Sequence, residues 1–185
     1  MSSPELDRTD ELIVYFVERL SGQITRTRLI KFIYLADYEA RRWLGAPIST
    51  LTYSYDRFGP YDKTLHDHLG HVSHLVEEEP RRWIDHQGYV YHSRSSSPVH
   101  RFTREERILL DHIAERYSSL PLPELLDEVV YQTEPMRKAI ASDARFTVLD
   151  MDSVNNEARR KFGSDLKQLL EAKDELDTGR WRELK

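Results

Sequence analysis

The stretch RLIKFIYLADYEARRWL, from Arg28 to Leu44, constrains the fold of this chain more than any other. At about 100° per residue, Leu29, Ile30, Ile33, Ala36, Ala40 and Leu44 form one arc, and Phe32, Leu35 and Trp43 form an adjoining one. A helix apolar over so much of its circumference is a central helix, covered by other elements on most sides. Thr25 stands where an N-cap belongs, Gly45 suits the exit, and Pro47 prevents continuation. With 185 residues, 39% hydrophobic and 32% charged, the chain is long enough to enclose such a helix in one charged-surfaced domain.

Around that helix the periodicities alternate. After Ser3-Pro4, Leu12, Ile13, Phe16, Val17 and Leu20 predict an amphipathic helix ending near Ser21-Gly22. Leu51, Tyr53 and Tyr55 alternate with Thr52, Ser54 and Asp56 as in a strand with one buried face. Phe58-Gly59-Pro60 then reads as a strand-to-helix corner: Phe58 anchors the strand end in the core, Gly59 permits the reversal and Pro60 presets the next first turn. That next helix carries Leu65, Leu69, Val72 and Val76 in one stripe and closes at Pro80. Trp83 to His92 reads as a hairpin turning at Gln87-Gly88, and the serine-rich run after it as a surface connection. Thr103-Arg104-Glu105-Glu106 is a capping box, Pro123 opens a further helix, and Thr133-Glu134-Pro135 is a break. From about Asp152, Val154, Phe162, Leu166, Leu169 and Leu170 predict a long terminal helix. The expected class is mainly α (α+β), a helical domain with a small inserted antiparallel β-sheet. Residues 1–150 form its body, and residues 151–185 a C-terminal helix packed on it or extending from it.

Chemistry is harder to find. A net charge of -5 argues against bulk phosphate neutralisation and suits a basic partner better. The absence of cysteine excludes disulfides, thiolate nucleophiles and Cys-ligated zinc. Acids in MSSPELDRTDE and the lack of a spanning apolar stretch lead to the expectation of a cytoplasmic protein with no membrane partner. No Walker loop, dinucleotide fingerprint, HExxH or nucleophile elbow occurs, so no enzyme and no cofactor is expected. Asp37 and Lys31 are the residues an enzyme reading would use. Against it, Asp37 and Arg41 are spaced for an ion pair along the helix. His66, His68, His71 and His74 lie opposite the apolar stripe of their helix. Two imidazoles can meet there, but the third ligand is missing, so no metal is expected. Arg81, Arg82, Arg94 and Arg101 beside Trp83, Tyr89 and Tyr91 admit a DNA-binding alternative through a basic aromatic hairpin. Glu77, Glu78 and Glu79 oppose it, and the three rings also suit the core-facing row of a sheet.

The ordered set Leu29, Lys31, Tyr34, Leu35, Asp37, then Gly45 and Pro47, then Tyr53, Tyr55, Phe58, Gly59 and Pro60 resembles the Panacea domain of the SocA-like antitoxin family, also found in phage-associated proteins. Phe102-Thr103, Tyr117, Glu124-Leu125 and Thr133-Glu134-Pro135 extend the resemblance to roughly residues 10–140. Met136 and Tyr131 depart from it, where tryptophan and histidine are common. The resemblance implies a bacterial or phage-associated antitoxin that neutralises a cognate toxin by direct protein-protein binding. It admits an adaptor variant that presents the toxin to a protease, or a chaperone as a further partner. Enrichment of aromatic and arginine side chains in interfaces selects Tyr53, Tyr55, Arg57, Tyr61, Trp83, Tyr89 and Tyr91 as the partner-binding surface, with Lys31, Tyr34, Asp37, Phe58, Gly59 and Pro60 as the structural motif.

Overall fold

The computed structural model of the protein describes residues 5–20, 24–83, 87–94 and 100–154. Helix α1 (Arg8–Arg19), strand β1 (Ile24–Thr25) and helix α2 (Arg26–Trp43) come first, and α2 is the central helix the sequence predicts. Its Leu29, Phe32, Ile33, Tyr34, Ala36 and Ala40 are fully buried. The Thr25 hydroxyl accepts from Arg28 N at 3.3 Å, and the Gly45 N–H reaches back to Ala40 O at 3.0 Å with φ at +90°. Helix α1 begins with a reciprocal Asp7–Asp10 capping box and presses Leu12, Ile13, Phe16 and Val17 into the same core.

The Phe58-Gly59-Pro60 corner is a hairpin. Strands β2 (Ser54–Asp56) and β3 (Gly59–Tyr61) pair Ser54 with Tyr61, Tyr55 with Pro60 and Asp56 with Gly59. Arg57 and Phe58 form a two-residue turn with negative φ, and Gly59 at φ +83° takes up the left-handed residue that such a turn requires. The expected anchoring of Phe58 is therefore corrected: at the turn tip it is 55% exposed. Pro60 lies in β3, and the following helix α3 (Leu65–His71) starts only after Thr64. A third segment flanks β2, with Tyr55 N donating to Thr147 O at 3.0 Å and Leu149 N to Tyr53 O at 2.8 Å.

Helix α3 is also shorter than predicted. It stops at Val72 and a turn closed by Val76 N to Val72 O leads into β4 (Val76–Arg82), so Val72 and Val76 stay buried as the stripe requires. Pro80 lies inside β4, which is tolerable because β4 is the edge of a sheet ordered β1-β5-β4, where β5 is Gln87–Ser93. The hairpin does not turn at Gln87-Gly88. Those residues pair with Arg82 and Arg81, and the connection runs through 83–86. Helix α4 (Arg104–Tyr117) opens with the Thr103–Glu106 capping box and packs on α2. Helix α5 (Leu122–Glu124) continues through a π-helical turn, Leu125–Val129, and a 3-10 turn, Val130–Gln132, and α6 (Glu134–Ala141) follows the Thr133 break. The predicted terminal helix lies outside the described residues beyond a single 3-10 turn at Met151–Ser153, as does most of the serine-rich loop. No helix among the described residues is long and apolar enough to cross a membrane.

Candidate partner-binding site

Three polar residues one turn apart on α2 each pin a different segment of the chain. Lys31 donates from Nζ to the Pro60 carbonyl at 2.6 Å, fixing β3 from beneath. Burial pushes its amine down to about 7, against a weaker opposing pull from Asp56. Tyr34 meets Thr133 Oγ1 at 2.7 Å, and because the Thr133 hydroxyl also donates to Val130 O, the Tyr34 hydroxyl is the donor. This bond holds the break before α6. Asp37 accepts from Ile48 N and Ser49 N, both at 2.8 Å, from Ser49 Oγ, and from Tyr53 OH at 2.7 Å. Burial raises its carboxyl above the ordinary range, and these hydrogen bonds oppose the rise. The expected Asp37–Arg41 ion pair does not form, since Arg41 pairs with Asp152 at 2.6 Å. Lys31, Tyr34 and Asp37 thus brace a strand, a helix start and a loop.

The residues chosen as a partner surface divide on burial. Tyr53 is buried against Tyr34, ring centroids 5.1 Å apart, and Tyr91 is buried with its hydroxyl on Glu78 at 2.8 Å and pushed up to about 12 by burial. Neither ring reaches the surface, because Tyr91 sits on the core-facing side of β5 and Tyr53, just before β2, is drawn inward by Asp37 and Tyr34. Tyr55 is half-buried on the inner face of the β2–β3 hairpin, and Trp83 is half-buried against Gly88, where a Cβ would lie 3.1 Å from its ring. Tyr89 is exposed on β5 opposite Pro80. Arg57 and Tyr61 are exposed together on β2–β3, with the Arg57 guanidinium 5.4 Å from the Phe58 ring centre.

Register adds residues that sequence reasoning missed. Ser54 pairs with Tyr61 on one side and with Val148 on the other, so Tyr61 and Val148 share the outer face of the small sheet. Tyr61 is 40% exposed, Val148 65%, and neighbouring Phe146 76%. The Phe146-Thr147-Val148 run is too short for a periodicity to show. Beside this face, Arg26, Ile30, Lys31, Phe58, Tyr61 and Leu65 line a pocket of about 180 Å³. Of the basic hairpin residues, Arg101 is spent on α1, donating to Glu11 at 2.6 Å and Glu5 at 2.7 Å.

Helix α3 and the turn that follows it hold the histidines differently from expectation. His66 turns to Arg26 at 2.8 Å, His74 donates to the His71 carbonyl at 3.1 Å, and His68 packs on α1 with Nδ1 2.8 Å from Asp10 Oδ1. A third group near His68 and His71, absent from their own stretch of sequence, is Asp10 of α1.

The pattern that describes the SocA-like antitoxin Panacea domain matches residues 29–134, more than half of the chain. The chain belongs to this family. No curated protein and no solved structure matches it. Membership gives the protein an antitoxin-type role, with a toxin as partner in general terms. The Panacea match begins at Leu29 on α2 and ends at Glu134, the first residue of α6, so it contains the three bracing residues and the β2–β3 hairpin. Helix α1 and the 146–149 segment of the outer face lie beyond it.

Proposed function

We propose that this Panacea-domain protein neutralises a toxin by direct binding, acting as a binding protein and not as an enzyme, through the outer face of the β2–β3 hairpin. The observation that carries the reading is the shared register of Tyr61 and Val148; exposed Phe146 stands two residues from Val148, and Arg57 lies over the exposed ring of Phe58 at the hairpin turn. Aromatic and arginine side chains on a preorganised support are the usual anchors of a protein interface. Lys31 supplies that support through Pro60. The net charge of -5 favours a toxin with a basic face.

The test is growth of cells expressing the product of the adjacent open reading frame, with and without this protein, followed by size exclusion of the co-expressed pair. Rescue together with a co-eluting complex supports direct neutralisation. A harmless neighbour, or rescue without a complex, defeats it. The variant with alanine at Phe58, Tyr61 and Val148 is expected to keep its unfolding midpoint and lose both co-elution and rescue. Unchanged binding by that variant moves the interface elsewhere.

A further inference from the structure

We propose that Asp10, His68 and His71, with Asp7 beside them, form a binding site for one divalent transition-metal ion of the zinc type. The site is built by the start of α1 and the face of α3 that meets it. His68 and His71 are three apart on α3 and present both imidazoles to one side, with ring centres 6.1 Å apart. Asp7 and Asp10 are three apart at the N-terminus of α1, where their capping box fixes both carboxylates before any ligand arrives. His68 Nδ1 lies 2.8 Å from Asp10 Oδ1 and 3.6 Å from Asp7 Oδ2, and His71 Nδ1 lies 4.0 Å from Asp10 Oδ2. One donor atom from each of Asp10, His68 and His71 falls within 4.8 Å of the others. Ligands at about 2.0–2.2 Å around a tetrahedral ion stand about 3.4 Å from one another, a spacing these distances bracket.

The charges favour a cation as well. Asp10 is buried and Asp7 stands beside it, yet among the described residues no lysine or arginine forms an ion pair with either. The capping box leaves lone pairs on both carboxylates: Asp7 uses Oδ1 for the Asp10 amide and keeps Oδ2 toward His68. Two imidazoles and one carboxylate, with a fourth position for water, suit zinc and its neighbours in the first transition row, whereas magnesium and calcium select all-oxygen sets. The bound ion clips α1 to α3 and stabilises only the folded chain.

The experiment uses the tag-free full chain. Titration with Zn²⁺ is expected to show one saturable site and a rise in unfolding temperature that Mg²⁺ and Ca²⁺ do not reproduce. Co²⁺ in place of Zn²⁺ is expected to give the visible absorption of a four-coordinate ion. His71 is 69% exposed in its side chain, so His71→Ala leaves the metal-free unfolding temperature unchanged while weakening Zn²⁺ at least tenfold. His66→Ala and His74→Ala bind as the wild type does. Absence of saturable binding in the wild type, or undiminished binding in His71→Ala, overturns the proposal.

Discussion

At Gly59 two demands fall on one Cα. Its φ of +83° is left-handed, and a Cβ there would stand 3.2 Å from Tyr131 Cε1. Gly59→Ala is expected to lose roughly 1–3 kcal/mol in chemical denaturation, and an unchanged midpoint would show that the turn relaxes freely. Lys31 carries a pH signature. Its amine titrates near 7 in the folded chain and at the ordinary 10.5 when unfolded, so between those values the unfolded chain holds the extra proton. Stability contributed by Lys31 therefore rises as pH climbs from about 7 toward 10.5, and is level below that window. Lys31→Met keeps the apolar stem and removes the titrating group. The wild type is expected to gain on this variant through the window when both are denatured at a series of pH values. A constant difference would mean that Lys31 stays charged when folded. The set Lys31, Tyr34 and Asp37 was legible only through the family resemblance, and spacing alone pointed Asp37 at Arg41, which pairs with Asp152 instead. What the set braces was not legible, because Pro60, Thr133 and Ser49 are brought to it by tertiary structure alone.

Among elements, those with local signals were legible and those made by pairing were not. The Thr25 cap and the Thr103 capping box stand where the sequence places them, since each is satisfied within three residues, whereas Thr133 caps no amide of α6 and its break is held by Tyr34. Strand β4, VEEEPRR, shows no alternation, because as an edge strand it exposes nearly every side chain after Val76 and is defined by its register with β5. The same holds for β3, which GPY conceals until it pairs with β2. Helix α1 shows what polar pairing does at this scale. The buried Glu11 carboxylate accepts from Arg8 at 3.1 Å and from Arg101 at 2.6 Å, and Arg8 also reaches Glu106 on α4. Glu11→Gln keeps the shape and removes the charge facing two guanidinium groups. The expected loss is about 1–3 kcal/mol in denaturant unfolding, with faster amide hydrogen exchange in α1 than in α2. Equal exchange in variant and wild type would mean that apolar packing alone holds α1.

For the whole molecule, most residues that carry the family pattern lie inside, while Phe58 of that pattern is exposed together with Tyr61 and with Val148 from beyond the match. Tyr53 and Tyr91, chosen from sequence as contacts, are core, whereas Phe58, chosen as core, is at the surface. Exposure depends on which strand faces which helix, and alternation alone does not reveal that. Val148 reaches the outer face from a distant part of the chain. The family match is expected to be smaller than the folding unit. The matched residues 29–134 omit α1, although Leu12, Ile13, Phe16 and Val17 are fully buried against the central helix. Removing a helix that buries four such side chains, each worth roughly 1.5–3 kcal/mol, consumes most or all of the 5–15 kcal/mol by which domains are stable. A chain beginning at Ile24 is therefore expected to lose near-ultraviolet circular dichroism, bind a hydrophobic dye and unfold without a cooperative transition, while the full chain melts sharply. Cooperative melting of the shortened chain would place α1 outside the folding unit and would leave the central helix needing fewer covering elements than its apolar circumference implies.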